Sequence, residues 1–424
     1  MEQSTRYNWH DRFIIFAIIA LVSGYVCVLR IVNYTSIIGC LCLPFALAEI
    51  YQAFTKGKME KIELYMVLWL LYAAISVLWT PHFKMGLSNL TILFFNVSFF
   101  LGIFYHARHA NKPINAFLEG WRVLILLTLC VAFWEIFTNQ HIPYYGEFNE
   151  GSTISTASGG RQERLFAAVT YRNLNTYVTL LCMALPFLMM GLFRLPHKFW
   201  SILAIGGAIV VLIVNSSRGG VFALVVDLLV FALFYLKKPI KYKKTITLFF
   251  VGGIVILFSF FGTMLLDQLF GRLESFEDRG LLSDIGRWDV MRYGIEFCID
   301  SFGLGCGIGS MVPMYESTGF WLHYSHNLVI EFLIEAGFWL LLPLIVLFVS
   351  NYKCLIKSKN SECKMVGWML LLSFVPTVII DDSYVYRHFM WMWILTQFIL
   401  GKYCEMDTTM NKQVQHNLLP NTHK

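Results

Sequence analysis

Runs of about 18 or more apolar residues recur along the whole chain, and this repetition limits the possible folds more than any other feature. An α-helix rises about 1.5 Å per residue, so each run can cross the roughly 30 Å hydrocarbon layer of a bilayer. The composition agrees: of 424 residues, 57% are hydrophobic and only 14% charged, with a mean hydropathy of +0.61. A water-soluble fold would have to expose far too much of that apolar surface. The expectation is an all-α integral membrane protein: one polytopic domain over residues 1–402 and a polar cytoplasmic tail over 403–424. The first run, Phe13 to Leu29, has no small-residue cleavage site behind it and leads straight into another run, so it is expected to be a retained helix.

Charged punctuation divides the apolar runs into twelve expected spans, near 13–29, 35–53, 62–79, 88–105, 119–137, 173–193, 199–214, 219–236, 245–266, 326–349, 365–380 and 388–401. An even number puts both termini on one side. If that side is the cytoplasm, the inner loops hold Lys56, Lys58 and Lys61, then Arg108 and Lys112, Arg194 and Lys198, the cluster from Lys237 to Lys244, and Lys353 to Lys364. This is the pattern of the positive-inside rule. Under this topology 17 of 18 lysines fall inside, yet 10 of 15 arginines fall outside. Topology does not explain that split. Lysine is a hydrated point charge, whereas arginine presents a planar fork suited to bidentate phosphate contacts. A competing reading makes the outer arginines surface partners of Glu163, Glu274, Glu277 or Asp278.

Two outer loops are too long for simple turns: about 138–172, and about 267–325 between the ninth and tenth spans. Within the second, Gly286 to Ile299 is expected to form a short interfacial helix with Trp288, Met291, Ile295 and Cys298 at helical spacing, ahead of glycines at 303, 305, 307 and 309. Cysteines such as Cys27, Cys40, Cys42, Cys130 and Cys182 lie inside apolar runs and read as small hydrophobes. Cys298 and Cys306 share the second loop, and sequence leaves open whether they pair.

Three segments carry candidate chemistry. Asn215-Ser-Ser-Arg218-Gly219-Gly220 is a tight turn that puts Arg218 near membrane depth, where a guanidinium needs a partner or a wet cavity. That partner is either an anionic ligand or Asp227, nine residues further on. In Asp284-Ile-Gly286-Arg287-Trp288-Asp-Val-Met-Arg292, Arg287 would sit beside the expected helix start, where free amides and the dipole attract phosphate. Arg292 lies about one and a half turns later, towards solvent. Tyr324-Ser-His326-Asn327 then opens a span holding Glu331 and Glu335 on one face, with arginines as their expected partners. Histidine is the side chain best able to exchange a proton near neutral pH, although a lone interfacial histidine is more often structural.

The order of Ser-Arg-Gly-Gly at 217–220, Gly-Arg-Trp at 286–288, the glycine run at 303–307, and His326-Asn327 followed by Glu331, Glu335 and Gly337 resembles the O-antigen polymerase and ligase superfamily. Arg164 to Asn173 is similar to that family's loop with an arginine and an asparagine nine positions later. Two departures stand out: Ser301-Phe302 replaces a frequent proline, and Arg172 to Asn175 lacks the usual Asn-Pro-Asn turn.

The resemblance implies a glycosyltransferase C-type architecture in the bacterial inner membrane, with its active site facing the periplasm or cell exterior. It implies transfer of glycan from undecaprenyl pyrophosphate without cofactor or obligatory metal. By position, Arg218 and Arg287 would hold the pyrophosphate leaving group and His326 would orient or deprotonate the acceptor hydroxyl. Arg164, Asn173, Arg292, Glu331 and Glu335 would line the substrate site. The implied partners are the lipid-linked glycan, membrane lipid, and a chain-length regulator or flippase, with no nucleic acid. Polymerase is favoured over ligase because the stretch from Ser325 to Gly337 looks more like capsule and O-antigen polymerases. A solute transporter is the rival of a different class, and it would need polar groups at the membrane midplane, for which Asp227 is the nearest candidate.

Overall fold

A computed structural model describes residues 6–24, 27–28, 32–57, 59–142, 153–155, 161–163, 165–171, 173–215, 217–237, 281–319, 325–381 and 383–418. Over these the protein is helical. The elements are α1 (Trp9–Ile19) with a 3-10 turn (Ala20–Ser23), α2 (Tyr34–Thr55), α3 (Lys61–Ser76), α4 (Phe83–His109) and α5 (Pro113–Thr138). Next come α6 (Leu174–Arg194), α7 (Lys198–Asn215), α8 (Arg218–Lys237), α9 (Leu281–Asp300) and α10 (Met311–Ser317). The last are α11 (Leu328–Ala336), α12 (Phe338–Lys357), α13 (Ser361–Leu372), α14 (Phe374–Val378) and α15 (His388–Leu418). Two small antiparallel ladders, Cys27–Val28 with Val32–Asn33 and Thr153–Ser155 with Arg161–Glu163, complete the description.

Seven of the described helices are long and apolar enough to cross a membrane: 36–55, 83–109, 113–138, 174–194, 198–215, 218–236 and 338–357. The protein is a multi-pass membrane protein. The expected span at 245–266 lies outside the described residues. Two other expectations are corrected. The apolar run at 326–349 is two helices, broken at Gly337 (φ 78°). The run at 365–380 is also two, broken at Ser373, whose hydroxyl and amide both bond the Met369 carbonyl. The final helix continues through the polar segment to Leu418.

Burial follows from lipid as solvent: α6 is sheathed by its neighbours, while Val225, Leu229, Leu233 and Leu236 of α8 project outwards. In lipid, helices gain little from hydrophobic association and rely on close packing. Accordingly Gly39 of α2 lies against the Phe95 carbonyl of α4, and Gly102 of α4 against Cys42 of α2. A Cβ added at either glycine would come within 2.8 Å of its neighbour. One continuous core runs from Ile14 to Leu400.

The two ends of the bundle differ. At the lysine-rich end, Arg108 spans Glu49 (2.9 Å) and Glu63 (2.7 Å), and Arg194 pairs with Glu362 (2.7 Å). The lysine-poor end collects the carboxyl ends of α1, α3, α5 and α7 and the amino ends of α4, α6 and α8. It also holds five of the six described non-glycine residues with positive φ: Asn139, Val169, Phe302, His326 and Ser383. Such backbone costs about 1–3 kcal/mol per residue and concentrates where function demands a fixed geometry.

Candidate functional site

The loop entering α6 is buried within the lysine-poor end. Ala167, Ala168 and Val169 are fully buried although they belong to no helix, so their amides need protein partners. Asn215, the last residue of α7, bonds Ala167 in both directions (2.8 and 2.9 Å). Glu135 of α5 accepts the amides of Ala168 and Val169, each at 2.8 Å, and holds Val169 at φ 54°, costly for a β-branched residue. Tyr171 donates to the Leu21 carbonyl at 2.6 Å. His141 stacks on Phe166 and lies 3.4 Å from Glu135. Asn173 caps α6, accepting the Asn175 amide at 2.8 Å. Arg164 lies outside the described residues.

Arg218 is exposed at the first residue of α8. The two following glycines are used for packing. A Cβ at Gly219 would meet Ile380 (2.8 Å) and the Pro376 carbonyl (3.0 Å), and one at Gly220 would meet Val178 (2.4 Å). The turn is thereby seated on α14 and α6. Asp227 is not the partner of Arg218: it is fully buried, and nine helical residues separate the two by about 13 Å.

Arg287 lies well inside α9, because that helix begins at Leu281 and carries Gly286 internally. The expected contribution from a helix N-terminus is therefore absent, since it fades within the first turn. Arg292 is 62% exposed and pairs loosely along its own helix with Asp289 (3.8 Å) and Glu296 (3.6 Å).

After α9 the chain forms a clamp. Gly303, Gly305, Gly307 and Gly309 all have positive φ, which only glycine adopts without strain. The run is held by α3 and by the α11–α12 break. Trp79 donates to the Gly305 carbonyl (3.2 Å), Ile308 donates to the Ser76 hydroxyl (3.0 Å), Cys306 to Ile334 (2.6 Å) and Phe338 to Gly303 (2.8 Å). Backbone groups freed by the break at Gly337 are satisfied by this run. Cys298 and Cys306 are separate thiols.

His326 is half-buried in the left-handed conformation (φ 46°). Its neighbours fix it there: the Ser325 hydroxyl donates to the Asn327 carbonyl (2.9 Å), and Asn327 caps α11 through the Val329 and Ile330 amides (3.0 and 3.3 Å). Glu331 and Glu335 follow, both 3% exposed. Glu331 accepts the amides of Ser383 and Tyr384, and Glu335 accepts the Tyr384 hydroxyl at 2.8 Å. These contacts tie α11 to the segment that starts at Ser383.

Sequence reasoning missed the segment that joins these pieces, Asp381 to His388. Arg387 grips Asp381 through two bonds (2.6 and 3.1 Å), and burial pulls its guanidinium down to about 9. His388 pairs with Asn96 (2.6 Å), which also bonds the Val385 carbonyl (2.7 Å), and Tyr386 donates to Asn89 (2.7 Å). A cavity of about 10 Å3, room for one water, lies between this segment and Leu21, Gly24 and Tyr171. The signal was legible as Asp-Asp-Ser-Tyr-Val-Tyr-Arg-His between two apolar runs. One side of the segment continues into Ile380, on which the Arg218 turn rests; the other is tied to α11, which His326 opens. Two elements far apart in sequence are thus built onto one end of the bundle. Among the described residues no group of three or more His, Cys, Asp or Glu side chains forms a metal-binding set.

With this geometry in view, the similarities to known proteins fall on the same elements. Residues 202–345 match the O-antigen ligase family. The matched region contains Arg218, Arg287, Arg292, His326, Glu331 and Glu335, so the resemblance carried by those motifs holds. The chain is also 20% identical over 365 residues to the teichuronic acid biosynthesis protein TuaE of Bacillus subtilis (strain 168), covering 80% of this chain and 70% of that protein. Together the two similarities point to glycan polymerisation or ligation in cell-surface polysaccharide biosynthesis.

Proposed function

We propose that this protein transfers oligosaccharide or polysaccharide from an undecaprenyl-pyrophosphate carrier at the outer face of the bacterial inner membrane, extending O-antigen or capsule repeats. The fold we assign to it is of the glycosyltransferase C type. Displacing a glycan from pyrophosphate builds negative charge on the leaving oxygens, and fixed guanidinium groups stabilise that charge as it develops. Arg218 and Arg287 take that role, and His326 orients or deprotonates the acceptor hydroxyl. The observation that carries the reading is the left-handed His326 at the head of an α11 tied, through residues 381–388, to the segment supporting Arg218. Arg164, Asn173 and Arg292 are assigned to the substrate. Glu331 and Glu335 act by holding the segment that supports the site.

The test is incubation of purified protein with undecaprenyl-pyrophosphate-linked repeats and sizing of the products. Arg218→Ala, Arg287→Ala and His326→Ala should each stay in the membrane and lose transfer, and full activity in any two of them removes the mechanism. Arg218→Lys should also fail if the planar fork is used. The family description favours a second reading, ligation of glycan to lipid A core. A deletion strain separates the two: loss of a polymerase leaves single-repeat caps on the core, and loss of a ligase leaves the core bare.

A further inference from the structure

We propose that α9 lies in the plane of the membrane surface, with one exposed stripe immersed among lipid acyl chains. Successive helical residues are rotated by about 100°, so Trp288, Ile295 and Ile299 fall within an arc of roughly 40°, and Phe302 continues their line just beyond the helix. These four are 70%, 46%, 67% and 87% exposed. The opposite face is fully used: Val290, Phe297 and Cys298 are buried, Gly294 fits against Ile330, and the Val290 carbonyl accepts Tyr315 at 2.8 Å. Between stripe and core runs a polar edge of Asp289, Arg292, Glu296 and Asp300. The helix therefore has two apolar faces, one covered by protein and one not, with charges along the border, as an interfacial helix requires.

The occupant of the uncovered face is identified by what the stripe runs into. Trp339 donates its indole N–H to the Phe302 carbonyl (3.1 Å), and the Phe338 amide bonds Gly303 (2.8 Å). Phe338 opens α12, which is long and apolar enough to cross the membrane. Tyr72 of α3 donates to the Leu304 carbonyl, and Trp79 beside it donates to Gly305. Phe338, Trp339, Leu304 and Trp79 are themselves 44%, 61%, 48% and 41% exposed. Tryptophans with their indole N–H groups turned to the protein, beside the start of a spanning helix, mark the level of the interface. The α9 stripe extends that belt sideways without interruption, so its occupant is the bilayer itself.

A consequence rests on the proposed function: α9 would hold the backbone of Arg287 at headgroup depth, where the phosphates of a lipid carrier lie. The immersion itself does not depend on that function, and its test uses no glycan. Nitroxide labels would be placed singly at 288, 295, 299 and 302, and at 296 and 300 as controls, in full-length protein lacking its native cysteines and reconstituted in phosphatidylethanolamine–phosphatidylglycerol vesicles. Collisions with oxygen should exceed those with a water-soluble nickel chelate at the first four positions, and the order should invert at 296 and 300. A second measurement keeps the native cysteines: the fluorescence lost between wild type and Trp288→Phe should be quenched by lipids brominated near the headgroup. Nickel access at the four stripe positions equal to that at 296 and 300, or unquenched Trp288, would overturn the proposal and make the stripe a water-facing docking surface for protein. Either result leaves the glycan-transfer assay to decide the function separately.

Discussion

Replacing Glu331 with alanine tests the link between the two halves of the candidate site. Its carboxylate, 3% exposed, accepts two consecutive amides, of Ser383 and Tyr384, and Ser383 is held at φ 68°. Hydrogen bonds to a charged acceptor contribute about 1.5–3 kcal/mol each, so losing both removes about 3–6 kcal/mol. Two effects offset part of this loss: the carboxylate no longer has to be buried, and the left-handed strain at Ser383, about 1–2 kcal/mol, is released as the segment relaxes. The net loss should be about 2–4 kcal/mol. Since 1 kcal/mol moves a domain of 150–250 residues by about 2–4 °C and a longer chain by less, the apparent Tm in detergent should fall by roughly 5 °C. Glu331→Gln keeps a carbonyl acceptor without the charge and should show about half that fall. The segment also supports the Arg218 turn, so glycan transfer should drop with stability in both variants, more steeply in the alanine form. An alanine variant that melts within about 1 °C of wild type and transfers glycan at the wild-type rate would refute the argument.

Gly337→Ala should prevent accumulation of folded protein, measured by fluorescence-detected gel filtration, because the new Cβ would lie 2.2 Å from the Gly303 carbonyl oxygen at a backbone φ of 78°. Arg387→Ala should cost about 3–5 kcal/mol by leaving Asp381 buried without its cation, whereas Arg387→Met with Asp381→Leu should recover much of the lost Tm. Asp227→Asn should leave glycan transfer unchanged and hold or raise the Tm, since the amide takes a carboxyl group that can ionise out of a fully buried site. Loss of activity in well-folded Asp227→Asn would favour the transport reading.

Hydropathy and charge suffice to read much of this protein, because lipid demands long apolar helices and lysine marks loop positions wherever it occurs. The positions of α2 and α4 to α8 were legible for that reason, as were the arginine turn after α7 and the histidine before α11. Other features depend on partners distant in the chain. The helix break at Gly337 is stable because Gly303 and Cys306 supply its hydrogen bonds, and a run of apolar letters does not reveal that. The start of α9 was misplaced because Gly286 usually weakens a helix, yet the packing of Val290, Gly294 and Phe297 against α10 and α11 outweighs that preference. Glu331 and Glu335 looked like acids in search of arginines. Both bond the amides and hydroxyl of a segment some fifty residues later, which only the folded chain brings within reach. Sequence determined that the chain is helical, membrane-spanning and arginine-bearing between its spans. Tertiary structure decided which of those residues meet, because buried hydrogen-bonding groups in a dry interior must be satisfied by whatever the fold brings beside them.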